Sequence, residues 1–458
     1  MSQIGAAVGV PAISATGFQG GVREVASLAF PVVLQNLAVT LMHVVDTAIV
    51  GRLGPNELAG VGYGGIWFWT AQCFFIGLAS GVQSFVSQAH GAGNERECGP
   101  WIWRAIAVAL PLAVAVLALF AAAYPLLLGL LGPAPELWTP ATDYVRARSL
   151  GAGGLLCAVV LHSFLRGTGD MRTPLAASVV ANVVNAALAY GLVYGSAGLP
   201  RLGVTGAGLA TAGCEYLYAG LLFYAALRRP MRQRYATAPS WPQLAEVRRF
   251  LRTSAPIGGT WFLDMITFAL FTTLIARMGA TSMAASQAFL VVLHLSFMQV
   301  VGIQIAASTL VGRYVGARDL VAAERSHRSA LWLGLAVSAL VSIVFVAAPG
   351  ALLRLFTDDA SVLSLGLPLL WLGAAYNLLD AAAIVASGSL RGAGDTRFPF
   401  WVQTATAWLL YLPVSWLLGV WLEGGLLGAW VGASIYSLAL SIVFVLRFRS
   451  GAWKSIRI

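Results

Sequence analysis

The chain has 458 residues, of which 59% are hydrophobic and only 10% charged, with a mean hydropathy of +0.79 and a formal net charge of +10. Soluble domains carry about 25% charged residues, so this composition excludes an ordinary soluble fold and points to a chain that crosses a membrane many times. Lys454 is the one lysine, and most of the arginines fall in short loops between apolar runs. That placement reads as a topology signal, and no nucleic-acid partner is expected.

In chain order, the first twenty residues, MSQIGAAVGVPAISATGFQG, carry no basic region followed by a compact apolar core, so no signal peptide is expected. Apolar runs of about 20 residues or more, the length that spans a bilayer, follow twelve times. Their approximate limits are 26–50, 59–86, 101–124, 140–165, 174–196, 204–227, 253–277, 283–309, 328–348, 362–388, 399–421 and 424–446. The runs are continuously apolar, without the alternation of a membrane barrel, and must be helices because lipid leaves no backbone polar group a solvent partner. The expected fold is an all-α membrane protein. The four cysteines at positions 73, 98, 157 and 214 show neither paired spacing nor a CxxC motif, so they read as core filler.

The chain repeats itself. LRGTGDMRTP at 165–174 returns as LRGAGDTRFP at 390–399, an offset of 225 that also relates Gly54 to Gly279 and Gly91 to Gly316. Six helices per copy is an even number, so both halves enter the membrane from the same side, related by a pseudo-twofold axis along its normal. The expected organisation is a segment 1–25, an amino-terminal six-helix lobe 26–227, a polar connector 228–252, a carboxyl-terminal lobe 253–446 and a tail 447–458. Assigning both termini and the loops after even-numbered helices to one side gathers 22 of the 28 basic residues there, leaving Arg52, Arg146, Arg148, Arg201, Arg277 and Arg354 opposite. The positive-inside rule makes the first side cytoplasmic, and the arginine-rich composition hints at a bacterial inner membrane.

Four acids fall well within these helices: Asp46, Glu215, Asp264 and Asp380. A carboxylate at mid-bilayer costs several kcal/mol on the order of the insertion scales, so it faces a cavity, an ion pathway or a hydrogen-bonding neighbour helix. No Arg or Lys is evident at that depth as a permanent partner, which leaves a small cation or a proton as the counter-charge. Two carboxylates within reach of each other would share a proton or a cation. A sodium ion would want oxygen ligands, which Asp264, Asp380, the Tyr376 hydroxyl and Asn377 offer, although Asn377 suits a helix–helix hydrogen bond better. For a cleft between the lobes, Gln35, Gln287, Trp261 and Glu215 are candidate lining residues, and aromatic faces there would attract organic cations.

VVDTAIVGRLG at 44–54, MAASQAFLVV, LSFMQVVGIQIAASTLVGRYVGA and LRGAGDTRFP together resemble the multidrug and toxic compound extrusion family over nearly the whole chain. The resemblance, nearest to bacterial NorM-type and DinF-like members, implies twelve helices in two lobes. It also implies export of organic cations or other amphipathic compounds in exchange for Na+ or H+. It makes Asp46 the functional carboxylate of the amino-terminal lobe and Gln287 the family's helix 8 glutamine. Asp264, four residues before Phe268 and Ala269, takes the place of the usual Glu in a carboxyl-terminal cation site completed by Asp380 and Tyr376. One departure stands in helix 5, where an Asn-x-x-x-Asp pattern reads Asn185 to Ala189; the Asn is kept as a candidate cleft residue and the acid is missing.

Other classes fit less well. Lys454 follows no phosphate-binding glycine pattern, and His43, His90, His162, His294 and His327 are scattered singly, so neither a primary pump nor an intramembrane enzyme is expected. A lipid-linked saccharide flippase is the serious rival, but it would place bases in the cavity where this chain offers acids. The expectation is a monomeric antiporter for small molecules that uses Na+ or H+ and no cofactor.

Overall fold

A computed structural model describes residues 20–131, 134–356 and 358–456, so most of the segment 1–25 and the last two residues of the tail lie outside the described residues. Among the described residues, twelve long helical segments form two lobes, of which ten are long and apolar enough to cross a membrane, eleven with the bent α4: α1 Val22–Gly51, α2 Pro55–Gly91, α3 Pro100–Leu131, α4 from Trp138–Ser149 and Ala152–Thr168, α5 Arg172–Tyr194 and α6 Gly203–Leu227 make the first. The second contains α7 Leu244–Ala276, α8 Ala280–Gly316, α9 Leu320–Ala347, α10 Ala360–Gly392, α11 Arg397–Trp421 and α12 Gly425–Arg449.

Several helices outrun their apolar cores. α7 starts nine residues before the expected 253, inside the connector, which also holds a short helix at Arg229–Tyr235. A capping box explains the early start: the Glu246 carboxylate accepts from the Gln243 backbone N–H at 2.9 Å. Two helices are also irregular. α4 bends by 50° at the break between Ser149 and Ala152, and α11 contains π turns at Ala407–Tyr411 and Leu417–Trp421 on either side of Pro413, which has no amide hydrogen to donate.

The first helix of each lobe begins in the core of the other. Val25 and Ala29 of α1 pack in the second lobe's core beside Ala306 and Leu310, and the Tyr314 hydroxyl donates to Glu24 at 2.8 Å. Reciprocally, Phe250 of α7 is buried in the first lobe's core, and Arg104 of α3 pairs with Glu246. Pro31 and Pro256, 225 positions apart, lie inside these two crossing helices.

The lobes meet through glycines related by the same offset. A methyl group on Gly91 would lie 1.8 Å from the Arg313 carbonyl oxygen, and one on its repeat partner Gly316 would lie 2.0 Å from the Gln88 carbonyl oxygen. Gly77 packs on Gly258 and Gly302 packs on Val33 in the same reciprocal way. Such isologous contacts are what a pseudo-twofold axis through the interface produces. Around them Gln83 donates to the Ile305 carbonyl at 3.0 Å, Ser84 to the Arg391 carbonyl at 2.8 Å, and Thr309 to the Arg166 carbonyl at 3.1 Å. Among the described residues the inter-lobe hydrogen bonds run from Asn36–Met298 to this one end, where the loops after α2, α4, α8 and α10 lie. Because close helix approach here depends on hydrogen in place of a side chain, Gly316→Val is expected to weaken the closed interface by about 1–3 kcal/mol. A lower thermal midpoint of the purified protein, with a longer spin-label distance between the ends of α2 and α8, checks it.

Candidate functional site

In the second lobe the two expected acids stand on separate helices, each with its own neutral donor. Asp264, on α7, accepts two hydrogen bonds from the Gln403 amide of α11, at 2.9 and 2.8 Å. Asp380, on α10, accepts one from the Ser437 hydroxyl of α12 at 3.4 Å. The charge of Asp380 reaches Asp264. Three tyrosines share this electrostatic neighbourhood: Tyr376 on α10, Tyr411 at the first π turn of α11, and Tyr436 on α12. Tyr411 and Tyr436 stack with centroids 4.9 Å apart. Tyr376 stands edge-on to Trp430, a buried ring on α12. Arg391, at the last turn of α10, is the cation within electrostatic reach of Asp264, yet among the described residues neither acid is in a direct ion pair. Neutral donors hold both.

Asn377 belongs elsewhere. Its amide donates to the Ser338 carbonyl at 3.0 Å and to the Ser342 hydroxyl at 3.3 Å, and its oxygen accepts from Ser296 at 2.7 Å. It bonds helices α8, α9 and α10 together, with both amide hydrogens and its oxygen engaged by serine partners.

The first lobe is built differently. Asp46, half-buried on α1, accepts from the Asn185 amide of α5 at 2.7 Å, and Asn185 itself is fully buried. Asn182 donating to the Ala38 carbonyl and Tyr194 to the Ile49 carbonyl fix α5 along the same face of α1. Gln35 is buried between Arg166, whose guanidinium donates to its oxygen at 2.9 Å, and the Tyr218 hydroxyl, to which it donates at 2.9 Å. Gln287 is exposed on α8, and Trp261 of α7 packs against the first lobe's core.

Glu215 departs from expectation. It lies 2.9 Å from the Arg148 guanidinium, with side-chain exposures of 12% for the arginine and 14% for the acid. Arg148 is not a loop charge. It sits one turn before the bend in α4, with its guanidinium 5.5 Å from the centre of the Phe68 ring. The bend exists to admit α6: a methyl group on Gly151 would lie 2.2 Å from Glu215 Oε2, and one on Gly154 would lie 2.7 Å from the Tyr216 nitrogen. The Tyr216 hydroxyl donates to the Leu150 carbonyl at 2.9 Å, satisfying a backbone group that the bend releases. The expectation of acids without a base in the membrane interior therefore fails in this lobe, where Arg148 and Arg166 are both enclosed.

The repeated LRGxGD segments use their acids unequally. Asp170 accepts from the Thr173 amide and hydroxyl at 3.0 and 2.6 Å and caps α5. Asp395, 4% exposed, instead takes a hydrogen bond of 2.9 Å from Arg447 of α12, not from a neighbouring arginine. Asp395→Asn is expected to cost about 2 kcal/mol of stability by weakening a charge-assisted hydrogen bond. Cation binding measured by calorimetry should be unchanged.

Comparison with known proteins settles the family. A family model described as MatE matches residues 31–191 and again residues 256–417, two copies whose starts are 225 residues apart. The chain belongs to the MatE family. It is therefore a membrane transporter and not an enzyme. It is 32% identical to the multidrug resistance protein NorM of Burkholderia vietnamiensis over 431 residues, covering 93% of each chain. Over 435 residues it is 29% identical to the probable multidrug resistance protein NorM of Thermotoga maritima, covering 94% of this chain and 93% of the other. Its fold superposes with a TM-score of 0.86 on a multidrug resistance MATE family transporter solved in an outward-facing conformation, at 20% identity, covering 96% of this chain and 98% of that one.

Gln403, Ser437, Tyr411, Tyr436 and Arg148 were not among the expected MatE site residues. Gln403 carried a usable signal, being a long polar side chain inside an apolar run; the others did not.

Proposed function

We propose that this MatE protein exports small amphipathic compounds, cationic ones by preference, in exchange for Na+ or H+, acting as a monomer in the inner membrane with both termini cytoplasmic. The observation that carries this reading is that Asp264 and Asp380 are each held in the second lobe by neutral donors and, among the described residues, neither is in an ion pair. Their charge is left for an exchangeable cation, with the Tyr376 hydroxyl as a further oxygen donor. Asp46, held by Asn185, responds to substrate or proton in the first lobe. Glu215 is assigned a structural role, because Arg148 already neutralises it.

With the arginine-rich face cytoplasmic, the closed inter-lobe interface lies on the cytoplasmic side, the arrangement of an outward-facing transporter. Cation loading in one lobe then drives substrate release in the other through differential affinity for two conformations. In everted vesicles with Na+ and H+ gradients imposed separately, one of them is expected to drive uptake of a fluorescent cation at least tenfold faster than of an anionic dye of similar size. Equal uptake of both dyes would favour a flippase for lipid-linked saccharides. Uptake with neither gradient present would exclude exchange.

A further inference from the structure

On the face where the two lobes close, α7 and the start of α11 enclose an open cavity of about 800 Å³ lined by Leu244, Val247, Arg248, Leu251, Arg252 and Arg397. The first five fall at the i, i+3, i+4, i+7, i+8 spacing that puts them on one side of α7. That side is half aliphatic and half cationic, and no acid lines the cavity. All three arginines are exposed and, among the described residues, none has a carboxylate partner. Beside them Trp241 and Leu244 are 92% and 84% exposed, large apolar groups that a water-facing loop has no reason to present.

We infer that this cavity binds an anionic phospholipid, its phosphodiester held by Arg248, Arg252 and Arg397 and its upper acyl carbons against Val247 and Leu251. Arginine suits the task because its planar donors grip phosphate oxygens in pairs. Arg252 stands at the edge of the apolar run that begins at 253, and Arg248 is one turn, about 6 Å, farther out. The headgroup layer has about that thickness. A soluble phosphate would use the arginines but not the aliphatic half of the lining, whereas a lipid uses both. The repeat keeps two of the three arginines and not the rest of the site: the positions 225 residues upstream of Leu244, Arg248, Arg252 and Arg397 hold Gln19, Arg23, Ser27 and Arg172. The bound lipid would join the end of α7 docked on the first lobe to α11 of the second.

Full-length protein purified in nonionic detergent and mixed with phosphatidylglycerol and phosphatidylcholine of matched chains, then followed by native mass spectrometry, tests this. The expected result is at least tenfold preferential retention of phosphatidylglycerol, lost in Arg248→Gln/Arg252→Gln/Arg397→Gln and kept in the control Arg23→Gln/Arg172→Gln. If the triple variant does not purify, each single substitution is expected to lower retention about threefold. Unchanged retention in these variants, or equal loss in the control, overturns the assignment. Displacement of phosphatidylglycerol by inorganic phosphate at constant ionic strength would also overturn it, in favour of a soluble anion.

Discussion

Asp380→Asn is expected to abolish gradient-driven export while leaving substrate affinity within about threefold of the wild-type value. The side chain lies between α10 and α12 with a single long hydrogen bond from Ser437, and the substitution keeps its size while removing its charge. An amide offers a cation one carbonyl dipole in place of a full charge and cannot exchange a proton at all. The loaded and empty second lobes then have nearly the same energy. Coupling between two ligands amounts to about 1–3 kcal/mol, and an ion that binds both conformations equally shifts neither. Losing 2–3 kcal/mol of it corresponds to a thirtyfold to 150-fold fall in the gradient-dependent rate. Asp264→Glu is the complementary control. It keeps the negative charge, and Gln403 on the facing helix can still donate to the longer carboxylate, so most of the activity should remain. Full gradient-driven uptake by Asp380→Asn protein at normal expression would move the coupling site to Asp46.

Twelve apolar runs and a 225-residue offset made the two-lobed architecture legible, because hydropathy measures what a bilayer demands of each segment. The same measure is blind beyond the bilayer. α7 begins at Leu244 and α8 runs to Gly316, where charged side chains find water, caps or each other. Acids were equally easy to locate by depth, but sequence gives no facing direction. Asp264 and Asp380 lie in the same lobe with neutral donors on facing helices, whereas Glu215 met a base that the sequence had assigned to the opposite surface. That misassignment has a cause: Arg148 lies in a helix whose bend at the glycine-rich stretch 151–154 turns it inward, and a continuous helix 140–165 has no such bend. Ser437 was overlooked because a hydroxyl on an apolar helix looks the same whether it bonds its own backbone or a neighbour's carboxylate.

The Arg148–Glu215 pair yields the second large effect. Arg148→Met leaves the Glu215 carboxylate against Gly151 at the α4 bend without its base, with its Oε2 already lacking a hydrogen-bond partner. Breaking a buried pair from one side costs about 3–5 kcal/mol, whereas replacing both partners with apolar or neutral groups is often close to neutral. Both side chains keep a little exposure, so the low end of that range is the appropriate one. Arg148→Met and Glu215→Gln are each expected to destabilise the purified protein strongly, and the double variant to recover at least 2 kcal/mol of the summed loss in a double-mutant cycle. Transport gives an independent readout. Asp46 also feels the charge of Arg148, so removing the arginine raises the negative potential in the first lobe, and the Arg148→Met/Glu215→Gln protein, restored in charge balance, should export cations with near wild-type coupling. Additive losses in the cycle would mean that the two side chains serve the bend separately, through packing on Phe68 for one and on Gly151 for the other. Recovery of stability without recovery of transport would instead make Arg148 a part of the transport machinery in its own right.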